Sequence, residues 1–136
     1  YVKAVIKDIV QDCKDLEKFG IKAVAISSND FINYPEDSFE NMINFSNEHQ
    51  FCFPYLLDES QIVAKNYAAI CTPDFFGYNN NLELQYRGRI REVKNLVPVR
   101  INNSDLYNAM KLISETGKGP KEQKPSLGCS IKWLNK

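Results

Sequence analysis

The sequence predicts an α/β domain in three layers, with helices packed on a mixed β-sheet. Three observations carry that prediction. A long amphipathic run at residues 2–19 leads through Gly20 into a short, apolar, partly β-branched run at 21–26. Two strand-like runs, 72–78 and 82–86, flank the turn-forming triplet Asn79-Asn80-Asn81. A second amphipathic run at 106–113 stops before Gly117. Helix–strand alternation followed by a hairpin and a closing helix is the order expected of such a sandwich.

In the first run, Val2, Val5, Ile6, Ile9, Cys13, Leu16 and Phe19 recur at the three-and-four spacing of one helix face. Lys3, Lys7, Asp12, Lys14 and Asp15 fall largely opposite, which places Asp12 toward solvent. The helix would run about 27 Å at 1.5 Å per residue, and Gly20 gives it a C-terminal stop. Residues 21–26 then read as a buried parallel strand. The strand completing this βαβ unit would have to precede Tyr1. After a polar loop at 27–35, Asp37 and Glu40 have capping-box spacing and open a helix carrying Phe39, Met42, Ile43 and Phe45. Residues 53–57 form a short strand whose start or edge suits Pro54. Asp58 and Gln61 repeat the cap spacing ahead of a helical turn at 62–67. The segment 87–101 is irregular. Residues 117–126 are rich in Gly, Pro and Lys, and Ile131, Trp133 and Leu134 close the chain with an apolar patch. The division is therefore a domain at 1–116, lacking its N-terminal portion, and a tail at 117–136.

At 136 residues the chain has the size of one domain with one core. Hydrophobic residues at 43% and charged residues at 25% remove support for collagen-like, disordered and membrane classes. Seventeen basic side chains balance seventeen acidic ones. Without net positive charge, the term that drives most non-specific binding to nucleic acid or anionic membrane is absent, so neither is expected as a partner. The chain opens Tyr1-Val2-Lys3 with no initiator Met and no signal sequence, and helical periodicity begins at once. This reads as a chain cut inside an element. The four cysteines, Cys13, Cys52, Cys71 and Cys129, lie far apart with no C-x-x-C. Neither a disulfide scaffold nor a structural zinc site is expected, and the compartment leans to a reducing cytoplasm.

Cys71-Thr72-Pro73 is the triplet with most chemical content. Its plain reading is a cysteine in a loop ahead of a strand; its functional reading is a thiol beside a proline kink. Cys13, on the core face of the first helix, and Cys52, between Phe51 and Phe53, read as buried packing, and Cys129 falls in the tail outside any strand. His49 and Cys52 form one pair, too few for a metal site, so no metal and no cofactor is expected. Arg87, Arg89, Arg91 and Arg100 either solvate a strand end or include one that assists a thiolate or anion. Gly117-Lys-Gly-Pro follows a helix and so is no phosphate loop. Glu36/Asp37 and Asp58/Glu59 read as caps and loops rather than an acid–base dyad.

Five words in the sequence carry a resemblance: Tyr34-Pro-Glu-Asp-Ser38, Phe53-Pro-Tyr-Leu56, Cys71-Thr-Pro-Asp-Phe-Phe76, Tyr86-Arg-Gly88 and Gly128-Cys-Ser-Ile-Lys-Trp133. With the element order, they resemble the peroxiredoxin-like branch of the thioredoxin-fold alkyl hydroperoxide reductase/thiol-specific antioxidant superfamily. The resemblance implies a cis proline at Pro73 facing a redox cysteine at the start of the first helix, a couple of residues before Tyr1. It also implies that the missing central strand lies between the 21–26 strand and the Pro73 hairpin. A helix dipole favours a thiolate there by about 0.3–2 kcal/mol, roughly one pKa unit at about 1.36 kcal/mol each. Cys71 becomes a candidate second, resolving thiol. Thr72 and Pro73 would shape the substrate face, Thr72 offering its backbone to a peptide or small thiol. Gly128 to Trp133 would be a segment folding back over the domain. The expected activity is thiol–disulfide exchange with a thiol reductant and a disulfide-bearing protein or small-molecule substrate. By resemblance this branch departs from true peroxiredoxins in the placement of its cysteine, and their peroxide-activating threonine and arginine are not evident. Peroxide reduction and a non-catalytic peptide-binding module are the alternatives.

Overall fold

The computed structural model describes residues 1–134. Helix α1 (Val2–Glu17) buries Val5, Ile6 and Leu16 of the predicted face, and also Val10, which lay outside it. It also buries Asp8 and Asp12, against the expectation that Asp12 is solvated. Both carboxylates are paired, which is how a buried charge is tolerated. Asp8 sits between Arg100, which reaches it through two hydrogen bonds of 2.9 Å, and Arg91, at 3.2 Å. Asp12 accepts a short hydrogen bond from the Ser104 hydroxyl. Phe19 lies beyond the helix end and is half exposed, its ring edge-on to Tyr107.

Strand β1 (Ala25–Ser27) is shorter and more exposed than a buried strand over 21–26; Val24 is 53% and Ile26 37% exposed. It pairs in parallel with β2 (Tyr55–Leu57), Ala25 opposite Tyr55. Its other edge meets no strand among the described residues, which leaves those side chains half uncovered. A single 3-10 turn (Pro35–Asp37) precedes α2 (Phe39–Glu48). The cap of α2 is Ser38, not Asp37: the Ser38 hydroxyl accepts from the Asn41 N–H at 3.2 Å, while Asp37 is drawn into the turn and accepts from Asn29. Ahead of α3 (Ile62–Tyr67), Asp58 does act as predicted. It accepts from the Val63 and Ala64 N–H groups and from the Ser28 hydroxyl, so one carboxylate holds both α3 and the end of β1.

Strand β3 (Cys71–Thr72) leads through a cis Thr72–Pro73 peptide into the predicted hairpin, β4 (Phe75–Tyr78) with β5 (Leu84–Gly88) antiparallel. Asn79 sets the turn by accepting from the N–H groups of Asn81 and Glu83. The stretch expected to be irregular contains a small hairpin, β6 (Val93–Lys94) with β7 (Val97–Pro98). Helix α4 (Asp105–Thr116) starts at Ser104, whose hydroxyl accepts from the Tyr107 N–H at 2.9 Å, and stops at Gly117 with φ +77°. Leu106, Ala109, Met110 and Ile113 of α4 join Val5, Leu16, Tyr86 and Ile90 in the main core. Gly77 lets α4 come close: a Cβ there would stand 2.3 Å from the Met110 sulfur.

The segment after Gly117 folds back along the hairpin, and β8 (Cys129–Ser130) pairs antiparallel with β3. Cys129 is thus in a strand, contrary to expectation, and Ile131 is buried. No helix among the described residues is long and apolar enough to cross a membrane.

The Ser104 hydroxyl donates to Asp12 and caps α4 at once, so Ser104→Ala removes a cap and strands a buried carboxylate. Its expected cost is about 1–3 kcal/mol, read from urea unfolding; a loss within the error of the midpoint would refute the shared role. Burial, only partly offset by Ser104, pushes the Asp12 carboxyl up from 3.8 to about 6. The folded state then holds this proton more tightly than the unfolded chain does, and the associated stability is present below about pH 4 and lost as pH rises through about 6. Asp12→Asn should therefore raise the thermal midpoint relative to the parent more at pH 7 than at pH 4. A constant or shrinking difference would contradict it.

Candidate functional site

The first turn of α1 holds no acidic residue. The positive end of the helix dipole is thus not met by any carboxylate of that turn. Tyr1 and Val5 meet Pro73, Phe75, Ile90 and Leu127 around a cavity of about 10 Å³, the room needed by roughly one water. The proline after β3 and the start of α1 therefore face each other, although they are 72 positions apart. The hydrophobic face that ties α1 to α4 and the hairpin is what brings them together.

Of the triplet, Pro73 lines this cavity, while Cys71 and Thr72 precede it in β3. Cys71 is half-buried, opposite Ser130, with Sγ 3.8 Å from the Pro73 carbonyl. Burial pushes its thiol above the ordinary range; Asp74 adds to this, and Arg87 partly offsets it. Thr72 stands opposite Cys129, and its hydroxyl donates to the Cys129 carbonyl at 3.5 Å. Gly128 lies so close that a Cβ there would stand 2.1 Å from the Thr72 carbonyl oxygen. The tail therefore takes up the backbone of Thr72 that the sequence reading left open to a substrate.

The four arginines separate. Arg89 and Arg91 line the cavity, yet each is engaged: Arg89 Nε donates to Asp105 at 2.6 Å, and Arg91 holds Asp8 and donates to the carbonyls of Val99 and Asn102. Arg91 Nε is buried and lies at ion-pair distance from Asp8 without the angle of a hydrogen bond. Arg100 belongs to Asp8. Arg87 donates to the Ala68 carbonyl and Asp74, and its guanidinium sits 5.0 Å from the Phe76 ring centre.

All four cysteines are free thiols. Cys52 is exposed, not buried: Phe51, Phe53 and Tyr55 alternate inward into an aromatic cluster, and the residue between the first two turns outward. Burial pushes the Cys13 thiol up to about 12, with nearby Cys52 and Asp12 adding to it. His49 caps α2, stacks on Phe45 and faces Glu48. Among the described residues no three His, Cys, Asp or Glu side chains converge on a possible metal position.

Gln61 and Leu127 were not singled out by sequence. Gln61 is 1% exposed, its amide donating to the carbonyls of Ser28 and Lys132 while its oxygen accepts from the Leu134 N–H. A glutamine in a polar loop carries no pattern that announces such a place. For Leu127, its position next to Gly128 was the available signal.

Comparison with known families places the chain. A model of the AhpC/TSA family matches residues 1–93, which include α1, Cys71, Thr72 and Pro73. The chain belongs to the AhpC/TSA family. An uncharacterized conserved protein from Geobacillus kaustophilus is 41% identical, with a TM-score of 0.92 over 100% of this chain and 72% of that one. A hypothetical protein from Sinorhizobium meliloti is 34% identical, with a TM-score of 0.89 over 98% of this chain and 73% of that one. The likeness to these structures thus runs through α4 and the tail, beyond the part matched by the AhpC/TSA model. No curated protein matches. The AhpC/TSA assignment and the observed element order agree on a thioredoxin-like α/β fold.

Thiol reactivity follows exposure and acidity. Under limiting iodoacetamide at neutral pH, peptide mapping should find Cys52 and Cys129 labelled before Cys71, with Cys13 last. Early labelling of Cys71 would contradict the burial that raises it.

Proposed function

We propose that this AhpC/TSA protein is a thiol-dependent oxidoreductase that performs thiol–disulfide exchange where Pro73 meets the amino end of α1. The observation that carries this reading is that convergence: Tyr1 and Val5 at the helix start and Pro73 border one small cavity, and the half-buried Cys71 thiol stands two residues before that proline. A thiolate held ahead of Tyr1 would be favoured by the helix dipole. It attacks one sulfur of a substrate disulfide; that S–S bond breaks, a mixed disulfide forms, and the other sulfur leaves as thiolate. The Cys71 thiolate then attacks the enzyme-side sulfur of the mixed disulfide. The second substrate thiolate is expelled, and the protein holds a two-electron disulfide that an external thiol reductant opens. The raised pKa of Cys71 suits an attacking, resolving thiol better than a leaving one, because leaving-group thiols depart faster when acidic. Thr72 and Pro73 bound the substrate face.

Peroxide reduction is the second reading, favoured by the AhpC/TSA membership. There the thiolate attacks an O–O bond, becomes a sulfenic acid and releases hydroxide or alkoxide, and a second thiol condenses with it to a disulfide and water. Against it, the two arginines lining the cavity are each neutralised by a carboxylate and offer no free cation to a peroxide or to the thiolate.

Two measurements on the full-length protein decide. Parallel turnover assays should show reduction of a small disulfide well above reduction of hydrogen peroxide; the reverse order favours the second reading and removes the first. In Cys71→Ser, mild oxidation should leave a sulfenate or mixed adduct in place of the intramolecular disulfide seen in the parent. The same intramolecular disulfide persisting in Cys71→Ser eliminates Cys71 as the resolving thiol.

A further inference from the structure

The strand edge beside Pro73 is occupied by this chain itself. A bare edge displays unpaired N–H and C=O groups and accepts an extended polypeptide through main-chain hydrogen bonds. Here the tail fills that place. Ile131 N–H donates to the Ile70 carbonyl at 3.3 Å, Cys129 lies opposite Thr72, and Gly128 rests against the Thr72 carbonyl with no space for even one carbon more. One residue earlier, Leu127 forms part of the wall of the cavity at Pro73 and Tyr1.

The tail is tied on both sides of that crossing. Upstream, the Lys124 carbonyl accepts from the Arg89 N–H at 3.0 Å, and the Ser126 hydroxyl donates to Asp74 at 2.7 Å. Downstream, Ile131 is buried, and the Lys132 carbonyl accepts from the Asp30 N–H and from Gln61. Two anchored ends with a glycine pressed on the backbone between them make a strap, and the strap runs along the edge a polypeptide substrate would need.

We infer that residues 124–134 are a specificity element: they take the polypeptide's place at Thr72 and restrict the site to low-molecular-weight disulfides. This rests on the thiol–disulfide reading above. A small disulfide needs only its two sulfurs and short arms near Pro73, and it can do without a strand edge. A disulfide in a folded or extended protein brings backbone that collides with Gly128 to Ser130. Gly128 is then required for discrimination, and any side chain there must push the strap off Thr72, since the atom it meets is backbone.

The test uses the full-length protein with oxidised glutathione and insulin as the two probes, together with amide hydrogen exchange. The unaltered protein is expected to reduce oxidised glutathione at least about tenfold faster, in kcat/KM, than insulin. Its amides at 72 and 131 should exchange at least about 100-fold more slowly than in an unstructured chain. Gly128→Val should lose that protection and raise the insulin rate about tenfold, while the glutathione rate stays within about twofold. Insulin reduced as fast as glutathione disulfide by the unaltered protein, or unprotected amides in it, overturns the strap while leaving the exchange activity standing. Loss of protection in Gly128→Val without a gain on insulin does the same. Reduction of neither probe by either protein overturns the thiol–disulfide reading and the substrate class with it. The exchange measurement on the unaltered protein needs no variant to fold.

Discussion

The packing of α1 onto α4 and the β4–β5 hairpin fixes everything that matters at the candidate site. Val5 and Leu16 enter the same core as Tyr86, Ile90 and the buried face of α4. Each fully buried side chain of this kind contributes about 1.5–3 kcal/mol, so the helix has little freedom to slide or rotate. Since α1 cannot move, its first turn is held toward Pro73, and the cavity between them keeps its size. Two polar ties reinforce the arrangement: Asp12 to Ser104 at the start of α4, and Asp8 to Arg91 and Arg100 in the segment between the hairpin and α4. The ion pairs at Asp8 add little net stability, but with the Asp12–Ser104 bond they favour one rotation of α1 against the core.

Much of the fold was legible because periodicity and turn chemistry act locally. Residues 2–17 and 105–116 show helical spacing with a glycine beyond each, and the Asn79 turn separates two runs that form a hairpin. The failures have physical causes too. Asp12 has a polar name and a buried address because its partner, Ser104, is 92 positions away. The cap of α2 moved from Asp37 to Ser38 because a proline-led turn took Asp37 first. Cys52 faces outward because burial alternates along 51–57, and the phenylalanines on either side hold the inner positions. The small β6–β7 hairpin has too few residues to show any period at all.

The candidate site was half legible. The triplet Cys71-Thr72-Pro73 could be singled out from spacing and resemblance, and its proline lines the same small cavity as Tyr1. In the tail, resemblance alone singled out Gly128 to Trp133 as folding back, as β8 does on β3, whereas residues 117–126, rich in Gly, Pro and Lys, have the composition of a solvated end. What holds it is close backbone approach, at Gly88 to Lys124, Gly119 to Gln85 and Gly128 to Thr72. A glycine in a tail is silent in sequence until the surface it touches is known.

That strap is the last of these elements to leave the ribosome. While the chain is being made, the helices and the hairpin are available before the residues that seal β3 and flank β5. For that interval the nascent protein presents open backbone edges of the kind that invite pairing with other chains. Closure of those edges therefore waits for residues 124–134, which follow α4 in the chain.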